Sequence, residues 1–219
     1  MLFRSTREFD ASRVTDGLGT RWQIGENGYK LYSCCGHTHT AVDVALDLRM
    51  QEAWTAADVL AQVTAIDIET YGPGYEIVKE MNPRTPYQAK FSLAYCVSAA
   101  LLEGRLGLPQ FAADRFDASG VRHRDIADLL TRVRVTVAPD LTASYPAKWP
   151  TRVAITTRAG RVCRGATEYP RGNAENPVST ADLERKCADL LEARCGAAVA
   201  DRKSTRLNSS HTDISRMPS

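Results

Sequence analysis

The sequence predicts an α+β domain with a mostly antiparallel sheet packed by helices. Helical and strand-like stretches are mixed without the regular strand–helix–strand rhythm of a doubly wound sheet. Two strand-like runs, Arg152 to Thr157 and Arg161 to Gly165, are separated by a turn at Ala159-Gly160 and form a hairpin. No internal repeat organises the chain. Of the 219 residues, 43% are hydrophobic and 25% charged, which is the composition of an ordinary globular protein.

Several classes are set aside at once. No stretch reaches the roughly 18 uninterrupted apolar residues that a membrane helix needs. The N-terminus lacks the apolar core of a secretory leader. The six cysteines are irregularly spaced and read as reduced thiols of a cytoplasmic protein. The formal charge of +2 comes from the final stretch, Lys203 to Ser219, which has no helical or strand period and reads as a non-native or disordered tail. Without its three basic and one acidic residue the chain is neutral, so nucleic acid is not an expected partner.

Residues 1–27 are polar up to Leu18-Gly19-Thr20-Arg21-Trp22-Gln23-Ile24 and read as a connecting segment. A helix is expected from about Ala41 to Gln51, with Val42, Ala45, Leu46 and Met50 on its apolar face and Asp43 and Asp47 on the polar one. Thr40 and Asp43 have the spacing of a capping pair. Val63 to Thr70 alternates as a strand, Tyr71-Gly72-Pro73-Gly74 breaks the chain, and a short helix follows near Tyr75 to Met81. Thr85, Pro86 and Gln88 are the start signals of a buried helix expected to run unbroken to Glu103, with Gly104 as its stop. A short helix near Ile126 to Leu130 leads into a strand, Val133 to Val137. The last amphipathic helix, Ser179 to Arg194, follows a polar loop from Tyr169 to Pro177.

Chemistry concentrates in two places. Lys30 is followed by Cys34, Cys35, His37 and His39, and in an extended chain Cys35, His37 and His39 face one way. They lack paired metal spacing, so no metal is expected. The helix start just beyond them, with the Lys30 ammonium and a histidine, instead suits a carboxylate and a proton transfer. Arg84 and Lys90 bracket the second helix start, which also suits an anion, although capping alone accounts for Thr85 and Gln88. Phosphate-loop, dinucleotide and serine-hydrolase motifs are absent, and Cys163, Cys187 and Cys195 are expected to be small core residues.

Taken in order, Lys30 to Asp43, Asn82 to Leu93, Tyr145-Pro146-Ala147-Lys148-Trp149-Pro150, Tyr169-Pro170-Arg171-Gly172 and Glu175-Asn176-Pro177 resemble the carboxyl-terminal part of the MmgE/PrpD family. The resemblance implies a large all-helical domain and a smaller α+β lid with the active site between them. It also implies homodimers, no cofactor, and proton transfer beside a carboxylate, as in 2-methylcitrate dehydratases, cis-aconitate decarboxylases and iminodisuccinate epimerases. In the family the lid supplies a lysine and, a few positions on, a histidine. Lys30 matches the lysine; Cys35 stands where some members have the histidine, with His37 and His39 just beyond.

The resemblance therefore implies Lys30, with His37 or His39, as catalytic residues and Lys30 as a binder of a small polycarboxylate; Cys35, at the histidine's place, and Arg84 and Lys90, from their helix start, are the further substrate-binding candidates. It divides the chain into a linker at 1–27 from a helical domain that is missing here, a lid at 28–168, a crossing loop and C-terminal helix at 169–202, and the tail. It implies a 2-methylcitrate dehydratase-like hydro-lyase, inactive as this fragment, whose last helix returns to the helical domain. A stand-alone, non-catalytic binding module derived from that family is the alternative.

Overall fold

The computed structural model describes residues 10–22, 24 and 27–196; the expected tail Lys203 to Ser219 lies outside the described residues. The elements in chain order are α1 (His39–Gln51), α2 (Ala56–Gln62), β1 (Val63–Thr70), α3 (Gly72–Val78), α4 (Pro86–Lys90), α5 (Leu93–Glu103), β2 (Phe116–Asp117), β3 (Gly120–Val121), α6 (Arg124–Leu130), β4 (Val133–Val137), α7 (Pro139–Ala143), β5 (Thr151–Thr157), β6 (Val162–Thr167) and α8 (Thr180–Cys195). The fold is α+β, as expected.

The main sheet has the order β4-β1-β5-β6. β1 pairs with β4 in parallel, opposite Val133–Val137, and with β5 antiparallel, while β5 and β6 form the expected hairpin. Alternation along β1 and β5 sends Val63, Ile66, Ile68, Val153 and Ile155 into the core. The opposite face carries ion pairs, Arg134 with Asp67 at 2.8 Å and Arg152 with Glu69 at 2.7 Å. One covered face and one charged face are typical of a mainly antiparallel sheet. A small β2–β3 hairpin stands apart from it.

α5 is the centre of the core, with every residue from Leu93 to Leu102 buried. Each fully buried leucine or valine contributes about 1.5–3 kcal/mol relative to exposure. The unbroken helix expected from Pro86 to Glu103 is in fact two. Ser92 leaves the helical region, its side chain accepts from the Tyr95 N–H, and its hydroxyl donates to the Glu80 carbonyl at 2.5 Å. An N-cap with a second, tertiary hydrogen bond outweighs the propensity of Phe91 and its neighbours to continue the turn. Upstream, Thr85 accepts from the Gln88 N–H as expected, but Gln88 returns its side chain to the Arg84 N–H. Gly104 ends α5 in the left-handed region at φ 69°.

Four further expectations are corrected. Thr40 and Asp43 do not cap a helix: α1 begins at His39, Thr40 bonds the Thr151 hydroxyl at 2.8 Å, and Asp43 is buried. Met50 is 73% exposed although it was placed on the apolar face, because α1 is covered by α5 and the β5–β6 hairpin on the Ala41–Ala45 side. The Gly-Pro-Gly sequence starts α3 instead of breaking the chain, since proline is compatible with the first helical turn. Cys163 is buried as expected, but Cys187 and Cys195 are exposed on α8, none of whose residues is buried.

Candidate active site

The candidate site is built on an irregular segment, Tyr29 to Cys35, that is tied down from four directions. The Tyr29 N–H donates to the Gly172 carbonyl at 2.8 Å, and the Cys35 N–H to the Lys90 carbonyl at 2.9 Å. The Lys186 ammonium of α8 donates to the carbonyls of Lys30 and of Leu31, the latter at 3.0 Å. Tyr32 donates to Asp43 at 2.6 Å, and the other oxygen of that carboxylate accepts from the Arg171 N–H at 2.8 Å. Asp43 thus joins α1, the Lys30 segment and the Tyr169–Pro177 loop. Burial raises its carboxyl, opposed by these two hydrogen bonds and by His39 and Arg171.

After Cys35 the chain makes a single 3-10 turn, Gly36–Thr38, closed by Thr38 on the Cys35 carbonyl through both its N–H and its hydroxyl. This turn separates the two histidines. His37 is half-buried on the outside, its Nδ1 2.5 Å from the Tyr71 hydroxyl, its ring stacked on Trp149 at 4.5 Å between centroids. Tyr71 is itself stacked on Tyr145 at 4.9 Å. Burial, then the positive charge of Lys30, lower the proton affinity of His37. His39, the first residue of α1, is 2% exposed and meets Tyr32 edge-on at 5.0 Å. The expected single extended face of Cys35, His37 and His39 is therefore absent, because the turn rotates His39 into the core.

The structure brings Lys30, Cys35 and His37 together. Lys30 is exposed, and its charge acts on both Cys35 and His37. Cys35 is half-buried, and its thiol is pushed up by burial against the opposing effect of Lys30. Lys90 contributes its carbonyl to this region, while its ammonium lies over the Phe111 ring at 5.9 Å. Arg84 is exposed beyond the other end of α4, ahead of the extended N-cap Thr85, and Lys90 is the last residue of that helix. Among the described residues, no group of three His, Cys, Asp or Glu side chains is arranged to hold a metal.

Tyr71, Trp149, Asp43 and Lys186 are the participants that the sequence did not mark. Trp149 lies in a block that carries the family resemblance but offers no local chemistry. Tyr71 follows the last residue of the central strand, where a buried tyrosine hydroxyl must find a partner. A recess of about 1150 Å³ lies on the far side of Leu31 to Ser33, between α8 and the outer face of α1. It includes neither Lys30 nor His37, its charges are of mixed sign, and one wall is a helix with no buried residue.

Residues 32–210 match the family model of the MmgE/PrpD C-terminal domain. The chain is also similar to the cis-aconitate decarboxylase of Mus musculus, at 25% identity over 130 residues. That alignment covers 55% of this chain and 25% of the decarboxylase, so the chain matches about a quarter of that relative's length. The domain model spans the Lys30-to-Cys35 anchor from Tyr32 onward, the histidine turn, the whole sheet and α8, and on that extent the chain belongs to the MmgE/PrpD family.

Proposed function

We propose that this chain is the substrate-facing lid of a lyase or isomerase of small polycarboxylates. In this reading Lys30 holds a substrate carboxylate, and His37 assists proton transfer at the carbon beside it. The observation that supports it is the shared rim: an exposed ammonium stands close enough to a half-buried imidazole to lower its proton affinity. A histidine so disposed is largely neutral near pH 7 and ready to take up a proton.

The Tyr71 hydroxyl adds a tautomeric choice. With Nδ1–H donating to the tyrosine oxygen, Nε2 is a free base; with the tyrosine donating to Nδ1, Nε2–H is an acid. Removing a proton beside a carboxylate spreads negative charge onto the carboxylate oxygens, and Lys30 would stabilise that charge. A hydro-lyase of the 2-methylcitrate dehydratase kind is the reaction we place first. The likeness to cis-aconitate decarboxylase supports a polycarboxylate as the substrate class. In this proposal the remaining acid–base groups come from the helical domain, the intact enzyme is a homodimer, and the isolated chain binds without turnover.

Titration of the chain with citrate and with cis-aconitate at constant ionic strength, followed by NMR at the His37 ring, tests this. A saturable shift that Lys30→Met abolishes, with cis-aconitate left intact, is the expected result. A response no larger than that to chloride would sink the lid reading.

A further inference from the structure

The loop between α7 and β5 carries two aromatic rings that both lie on the His37–Tyr71 pair. Tyr145 is stacked on Tyr71, with 4.9 Å between centroids and 17° between planes. Trp149, further along the same loop, is stacked on His37 at 4.5 Å and 18°. The two rings so covered are the ones joined through His37 Nδ1 and the Tyr71 hydroxyl. Tyr145, Trp149 and His37 are each half-buried, so the stack stands at the surface beside the Lys30 rim and not in the hydrophobic core.

Glycines make room for this arrangement. A Cβ at Gly36 would stand 3.0 Å from the Trp149 ring, and a Cβ at Gly74 would stand 2.7 Å from the Tyr71 ring. Neither glycine has a positive φ, so what each supplies is space for a ring and not a left-handed turn. The loop is also fastened along its length. The Tyr145 N–H donates to the Thr142 carbonyl at 3.2 Å and the Lys148 N–H to the Ser144 carbonyl at 3.0 Å. The Trp149 N–H donates to the Glu168 carbonyl at 2.9 Å, and the Lys148 ammonium meets the Glu168 carboxylate at 2.6 Å.

We propose that Trp149 and Tyr145 are positioning residues that hold the His37–Tyr71 pair in one orientation, Nδ1 on the tyrosine and Nε2 presented to the substrate. The proposal rests on the reading of His37 as the proton carrier. An imidazole that flips about its Cβ–Cγ bond puts a carbon where each nitrogen stood, and the hydrogen bond to Tyr71 is lost. Midway through the flip the ring must stand upright on its former plane. An indole lying flat against one face obstructs that turn. Tyr145 acts in the same way on the tilt of the Tyr71 phenol, and so on the place of its hydroxyl. With one ring face under the indole and Nδ1 engaged, Nε2 is the nitrogen left for proton transfer.

The test is NMR of the His37 ring nitrogens in the full chain without ligand, at a pH where imidazole is neutral, with His37→Gln to assign the signals. A single tautomer gives two well-separated nitrogen signals; a ring that turns freely becomes a tautomer mixture, and the signals converge. The parent should show the separated pair. Trp149→Leu should reduce the separation by about half or more, and Trp149→Phe, which keeps an aromatic face, should restore it. Should the leucine variant fail to fold, Gly36→Ala decides, because its Cβ pushes on the indole and removes nothing; convergence is expected there too. Converged signals in the parent, or separated signals in a folded Trp149→Leu, overturn the proposal, as does a phenylalanine variant that behaves like leucine. These spectra need no ligand, so they stand apart from the citrate titration. A fixed His37 ring that gives no citrate response sinks the lid reading and leaves the aromatic clamp in place.

Discussion

Removing the Asp43 carboxylate is the most direct way to test how the Lys30 segment is held. Asp43 is 3% exposed and accepts two hydrogen bonds, from Tyr32 at 2.6 Å and from the Arg171 N–H at 2.8 Å. Each hydrogen bond to a charged acceptor contributes about 1.5–3 kcal/mol. Desolvation of the carboxylate offsets part of that, as its raised pKa records. Asp43→Ala leaves two buried donors without a partner, so the expected loss is about 3 kcal/mol. Asp43→Asn keeps the shape and one good acceptor, so about 1–2 kcal/mol is expected.

Urea unfolding followed by circular dichroism measures both. An alanine variant within about 1 kcal/mol of the parent, or an asparagine variant as costly as alanine, would refute the reasoning. The pH dependence gives an independent check. Because the folded state holds the Asp43 proton more tightly than the unfolded chain, stability from this group rises as pH falls through the folded pKa toward the unfolded value of about 3.9. The gap between the parent and Asp43→Asn should therefore widen on acidification, the opposite of what a salt-bridged carboxylate gives.

Two further outcomes are expected. Lys30→Met should raise the pKa of His37, measured by NMR, because Lys30 now lowers it; burial continues to hold it below the ordinary value, and an unchanged pKa would remove Lys30 from the site. The same depressed pKa means that the unfolded chain takes up the His37 proton first, so stability falls as pH drops below about 6.5. His37→Gln should flatten that fall. Gly172→Ala should lower stability by about 2–4 kcal/mol in the same urea assay, since φ 104° strains any side chain and a Cβ would stand 2.1 Å from the Tyr29 carbonyl oxygen. A loss below about 1 kcal/mol would show that the loop yields cheaply.

Legibility followed the range of the interaction that decides each feature. β1, β4 and the β5–β6 hairpin were visible because alternation and turn residues act within a few positions. The start of α8 at Ser179 was visible for the same reason, and there Ser179 and Asp182 form a capping box. The break at Ser92 was not, because its second partner is the Glu80 carbonyl, and a serine inside an apolar run looks the same whether it caps or continues. Asp43 was placed on the wrong face because the tyrosine and the loop N–H that satisfy it come from elsewhere in the chain. α2 was passed over although its Thr55–Asp58 capping box is local, since seven residues carry too little periodicity to stand out. At the site, Lys30 and His37 were singled out by type and spacing. Tyr71 and Trp149 were invisible because stacking and a hydroxyl contact across the sheet leave no mark in local sequence.

The position of β1 also bears on the order of assembly. Ile66 in β1 takes its partners from Val133 on one side and Ile155 on the other, and within the main sheet of the described residues only the β5–β6 pairing is local. During synthesis β1 therefore leaves the ribosome with both edges open, long before either neighbour exists. Loop-closure entropy delays its pairing, and an unpaired strand rich in isoleucine and valine is the segment most prone to join another chain in the interval. The charged residues Asp67 and Glu69, which later meet Arg134 and Arg152, alternate along this strand and keep one of its faces hydrophilic while it waits.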